Sequence, residues 1–150
     1  MQKISKELKS SKKGIFSVIV LGIIFDPKER KILIGKREND PFIKKLSWCF
    51  PGGDIIKGEE IEHALKNKIK TKTNLEIENL GAIFAKTYPE KPEFLSIYYL
   101  CEKISGREKP GDNFTELKWV SPDELEKYFT TSFHPKLKEY LLNIQKNKAQ

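Results

Sequence analysis

Residues 48–75, WCFPGGDIIKGEEIEHALKNKIKTKTNL, constrain this chain more than any other stretch. A short apolar run, Trp48 to Phe50, enters a Pro51-Gly52-Gly53 turn and leads into an amphipathic helix over about 59–72. Ile61, Ala64, Leu65 and Ile69 recur at helical spacing and make one apolar face. Glu59 and Glu60 suit the positive end of the helix dipole, and Asn74 is a left-handed stop signal just past the last turn. A helix with one apolar stripe must bury it against another layer, so the segment calls for an α/β fold.

The rest of the chain supplies the sheet. SVIVLGIIFD (17–26) is rich in β-branched residues and reads as a buried strand, and KILIGKR (31–37) as a second, joined to it by DPKER in a hairpin. LEIENLGAIFAKTY (75–88) and EFLSIYYLCEKIS (93–105) read as strands across a PEKPE loop, and ELKWV (116–120) as another. In SPDELEKYF, Ser121 is placed to cap a helix with Pro122 at its first position. A last helix over 135–144 gathers Leu137, Tyr140, Leu141 and Ile144 on one face. The 150 residues suit one domain, 14–146, with a basic N-terminal tail at 1–13 and a short C-terminal tail at 147–150.

The formal net charge of +7 comes almost wholly from lysine, since Arg30, Arg37 and Arg107 are the only arginines. Such a surface attracts anions generally, but planar recognition of phosphates and bases favours arginine, so a dedicated nucleic-acid face is not the favoured reading. Cys49 and Cys101, each in an apolar setting, suit small buried hydrophobes better than a disulfide framework or a zinc site. The longest apolar run, 18–25, is strand length and too short to span a bilayer. With no signal-peptide pattern near Met1, the expected location is the cytoplasm.

The order of strand hairpin, Trp-x-Phe-Pro-Gly-Gly, Gly58-Glu59, amphipathic helix, strands, Trp119-Val120-Ser121-Pro122-Asp123-Glu124-Leu125 and a C-terminal helix resembles the Nudix hydrolases over roughly 14–145. Their signature is G-x5-E-x7-R-E-U-x-E-E-x-G-U, with U a bulky aliphatic. Gly53 and Glu59 match its start, and Ile69 and Leu75 fill the two aliphatic positions. The resemblance implies an α/β/α sandwich with a mixed β-sheet, cleavage of nucleoside diphosphate derivatives, and a homodimer as a common assembly.

The departures are concentrated in the helix. Asn67 stands for the signature's Arg, Lys68 for the Glu after it, Thr71 and Lys72 for the paired Glu, and Asn74 for the Gly. From His63 to Leu75 there is no carboxylate. The family's reaction uses divalent cations, and magnesium wants hard oxygen ligands. Two ammonium groups and a hydroxyl do not provide them, so no metal site is read from the box.

Three readings follow. In the first, the pocket binds a nucleotide or other diphosphate-linked ligand without the standard Mg²⁺-dependent hydrolysis, through Arg37, Gly52, Gly53, Lys68 and Lys72. In the second, the chain is a divergent pyrophosphohydrolase that uses Mg²⁺ held by acids outside the box. Glu59 and Glu116 are its candidate catalytic residues, with Glu60, Glu102 and Asp112 beside them. In the third, the tail, Lys44-Lys45 and the lysine helix form an RNA- or protein-binding surface on the scaffold. Helical periodicity puts Lys68 and Lys72 on one side and Lys66 and Lys70 roughly opposite, so only the first pair would face the pocket. The plain alternative is that all four are a solvated helix face.

Overall fold

The structure, a computed structural model, describes residues 14–38, 47–129 and 133–146. The tails at 1–13 and 147–150, and the Lys44-Lys45 pair, lie outside the described residues.

The first two strands are where their β-branched runs place them. β1 (Ser17–Asp26) and β2 (Lys31–Arg37) form an antiparallel hairpin with Phe25 opposite Ile32. β3 (Trp48–Cys49) pairs with β2, and β4 (Gly52–Asp54) pairs with the first half of β1. The amphipathic segment is α1 (Ile61–Thr73), followed by the long antiparallel pair β5 (Glu76–Tyr88) and β6 (Lys91–Ser105). β7 (Phe114–Val120) returns to β2, a 3₁₀ turn at Pro122–Glu124 leads into α2 (Leu125–Tyr128), and α3 (Pro135–Lys146) follows. β6 runs parallel to β1, which makes the sheet mixed, with a main order of β3-β2-β1-β6-β5.

Strand alternation divides the core into two layers. Val20, Ile24 and Leu33 pack with Leu65 and Ile69 of α1 on one face. Ile23, Ile32 and Ile34 pack with Leu125, Leu137 and Leu141 of α2 and α3 on the other. Each such fully buried aliphatic contributes about 1.5–3 kcal/mol of burial, so the two clusters fix how the helices sit on the sheet. Gly22 permits the closest approach of α1, because a Cβ there would stand 2.5 Å from Ile69 Cδ1.

The structure differs locally from the sequence reading at four places. The expected Pro-Gly-Gly turn is strand β4, in which Gly52 has φ +153° and a Cβ would fall 2.0 Å from the Val20 carbonyl oxygen. Glycine is there for close approach between strands. α1 starts at Ile61 because Glu59 belongs to the preceding loop, where its Oε1 accepts the Ile56 N–H at 3.0 Å. The PEKPE loop is shorter than expected because Lys91 and Pro92 already belong to β6. Ser121 precedes the 3₁₀ turn without a side-chain cap bond. Asn74 ends α1 in the left-handed region, φ +67°, as its position suggests.

Candidate functional site

A cavity opens on the α3 side of the sheet, floored by Ile19 and Leu21 of β1 and by Phe94 and Tyr98 of β6. Trp48, Phe129 and Phe133 wall one part of it. These rings are locked edge to face: Trp48 on Tyr128 at 5.6 Å, Phe129 on Phe50 at 5.0 Å and on Phe133 at 5.5 Å. Tyr88 and Tyr98 meet hydroxyl to hydroxyl at 3.0 Å, and burial raises the pKa of both phenols. Both therefore stay neutral and act as hydrogen-bonding groups rather than anions.

Cations enter the same cavity. Arg37 at the end of β2, Lys86 of β5 and Lys72 of α1 all line it. Lys72 is the residue of α1 that reaches it, and it is only 8% exposed. Its ammonium donates to the Gly52 carbonyl oxygen at 2.6 Å and lies 5.4 Å from the centre of the Phe114 ring. Burial lowers the Lys72 pKa, and the neighbouring Arg37 guanidinium lowers it further. A site in which two cations disfavour each other is one that an anion would relieve.

The segment Gly111–Phe114 organises both groups. Asn113 faces Arg37, and its side-chain oxygen, in the accepting orientation, lies 2.9 Å from Nε and 2.6 Å from Nη2. Phe114 provides the ring beside Lys72. The N–H groups of Gly111 and Lys109 donate to the Lys72 and Thr73 carbonyls, each at 3.0 Å, satisfying the last turn of α1. A Cβ on Gly111 would stand 2.3 Å from the Thr71 carbonyl oxygen, so this loop lies tight against the helix end.

The residues singled out in the sequence separate by place. Arg37, Gly52, Gly53 and Lys72 line the cavity together. What Gly52 presents to Lys72 is its carbonyl oxygen. Lys68 lies over Gly53, with its Cδ 2.9 Å from where a Cβ would be, and is not part of the cavity lining. Lys66 and Lys70 point to solvent and pair with Glu62 at 3.3 Å and Glu76 at 3.2 Å. The helical periodicity separates Lys72 from Lys66 and Lys70, but Lys68, expected to face the pocket with Lys72, lies outside the cavity lining; Lys72 is not part of a solvated face.

Of the candidate acids, Glu59 is engaged by the Ile56 N–H, and Glu116 is exposed on β7 opposite Lys36. Glu60, Glu102 and Asp112 are exposed as well. None of these acids lines the cavity.

Residues at the helix positions that would serve a divalent metal do not fit one. Lys68 and Lys72 are cationic, and the Thr71 hydroxyl donates to the Asn67 carbonyl at 2.9 Å. Among the described residues no group of three or more His, Cys, Asp or Glu side chains is placed to hold a metal ion. A hard cation needs several oxygen ligands, usually carboxylates, and this donor set does not supply them.

Two residues outside the cavity lining that contact its cations carry no signal in the sequence. Asn113 and Phe114 act on groups 76 and 42 positions away in the chain, by subtraction of residue numbers. Lys86 lies over the Tyr88 ring at 4.4 Å, a strand-spaced pair that alternation alone could have suggested. His134 precedes α3, its Nδ1 accepting the Lys136 N–H at 3.1 Å, and also lines the cavity against Phe84 at 4.8 Å.

A model of the NUDIX domain matches residues 16–141. An ADP-ribose pyrophosphatase of Methanocaldococcus jannaschii is 32% identical over 114 residues, covering 74% of this chain and 65% of that protein. The chain therefore spans just under two thirds of that relative's length. An 8-oxo-dGTP diphosphatase of Buchnera aphidicola subsp. Schizaphis graminum is 30% identical over 114 residues, covering 76% of this chain and 83% of that one. Among solved structures, a NUDIX hydrolase from Nitrosomonas europaea superposes with a TM-score of 0.70 at 20% identity, covering 86% of this chain and 72% of that one. That likeness is one of fold.

Proposed function

Because the chain belongs to the NUDIX domain family, we propose that its cavity binds a nucleotide or other diphosphate-linked ligand and holds the phosphates with its own cationic side chains. The observation that carries this reading is the buried Lys72 ammonium, set in the cavity wall with Arg37 beside it. Arg37 offers a planar fork for phosphate oxygens, and Asn113 holds that fork from behind. Lys72 supplies a fixed positive charge, and Lys68 adds a second one above Gly53. The aromatic wall suits a nucleoside base at low entropic cost, since its rings already pack on one another. Relatives named for ADP-ribose, 8-oxo-dGTP and nucleoside triphosphates favour a ligand of this class.

Those same names favour a second reading, in which the chain still hydrolyses such compounds with acids outside the helix. A turnover screen of ADP-ribose, nucleoside triphosphates and dinucleoside polyphosphates with Mg²⁺ or Mn²⁺ separates the two. The first reading expects saturable binding with no turnover. Turnover that is lost in Glu59→Gln would establish the second.

A further inference from the structure

We propose that the ammonium of Lys72, seated on the Gly52 carbonyl, is the resident cation of this cavity and takes the place of a divalent metal ion there. The inference deepens the preceding reading and rests on it only for the kind of anion that the cation meets.

Position supplies the first argument. Lys72 and Lys68 stand one helical turn apart where the family signature has glutamates, so the helix carries positive charge where it would otherwise carry negative. Geometry supplies the second. A backbone carbonyl is a hard oxygen of the kind that coordinates Mg²⁺ or Ca²⁺, and at Gly52 that oxygen already receives an ammonium at 2.6 Å. The residue is 8% exposed, and the Phe114 ring 5.4 Å away adds a cation–π contact, so the group is held and not merely passing.

The surroundings supply the third. The charged groups that act on Lys72 include the cations Arg37 and Lys68, opposed by the Cys49 thiol and by Asp112, which is exposed. A divalent ion arriving at Gly52 would have to displace the ammonium and would then face Arg37 and Lys68 with no carboxylate cluster to hold it. A diphosphate meets the opposite situation. Its charge is matched by side chains that cannot dissociate from the protein, so chelators have nothing to remove.

The test uses the ¹⁵N-labelled full chain and Mn²⁺ alone, without nucleotide. In the wild type, the amide signals of Gly52, Gly53 and Lys72 should stay sharp at substoichiometric Mn²⁺. In Lys68→Glu/Thr71→Glu/Lys72→Glu, which sets carboxylates at the three helix positions where the family signature has glutamates, the same signals should be broadened beyond detection. Selective broadening of those signals in the wild type overturns the proposal, and so does a folded triple variant that ignores Mn²⁺. A second reading is taken on the wild type, independent of whether the variant folds. The side-chain ¹⁵Nζ signal of Lys72 should be unmoved by millimolar Mg²⁺, and its loss on adding Mg²⁺ would show the ammonium displaced. With nucleotide absent throughout, failure to bind one is a separate result and leaves these outcomes legible.

Discussion

The ammonium of Lys72, a residue only 8% exposed, gives up hydration that a single carbonyl partner returns only in part. In the unfolded chain Lys72 keeps its proton up to its ordinary value of 10.5, whereas in the folded chain burial, and then Arg37, make it release the proton earlier. Between the folded and unfolded values the unfolded state binds more protons, so this group makes stability rise with pH across that interval. Below it, the cost of burying the charge is carried in full. Lys72→Met keeps the stem against Phe114 and removes the charge. It should stabilise the protein at pH 7 by about 1 kcal/mol while weakening ligand binding. Urea titrations of both proteins at pH 7 and at pH 10 measure this, and a less stable Lys72→Met at pH 7 would contradict it. Asn113→Ala should weaken ligand binding by about tenfold, as expected when a hydrogen bond holding a charged group is lost, with little change in urea midpoint. The two cysteines offer a further check. Burial pushes the Cys101 thiol up to about 12, so iodoacetamide should leave it unmodified in the native protein. Cys49 lines the cavity and should be labelled, more slowly once a ligand is bound.

Helix α1 shows how much an element depends on what closes its ends. Its last carbonyls are satisfied by N–H groups from the loop before β7, and Asn74 turns the chain away in the left-handed region and donates to the Arg107 carbonyl at 3.1 Å. Asn74→Ala should cost about 1 kcal/mol, and Asn74→Gly less, in thermal or urea unfolding. Gly52→Ala is more severe, because its Cβ would stand 2.0 Å from the Val20 carbonyl oxygen and force β4 off β1. Fold and site were legible in the sequence to different degrees for reasons visible here. Strands β1 and β2 match their β-branched runs, and the 3.6-residue period separates Lys72 from Lys66 and Lys70. β4 was hidden because two glycines in three residues look like a turn, and only the proximity of Val20 to Gly52 and of Lys68 to Gly53 explains them. The roles of Asn113 and Phe114 were hidden because they arise from pairing β7 with β2 and packing its leading loop on α1, contacts that no local pattern records.

At the scale of the whole molecule, the family fold carries Lys68 and Lys72 on the helix that follows β4. The net charge of +7 raises anion affinity everywhere, but Arg37, Lys72 and an aromatic wall are brought together at one cavity. The described residues contain no helix long and apolar enough to cross a membrane. If the surface as a whole bound nucleic acid, affinity would fall steeply with salt and show no preference for free nucleotides. Binding at the cavity should instead favour nucleoside diphosphates and need no added metal. Calorimetry of ADP-ribose binding, run once with Mg²⁺ and once with excess EDTA, tests that claim most directly. Phosphate binding by side-chain cations gives the same affinity in both, and binding that disappears in EDTA would contradict it.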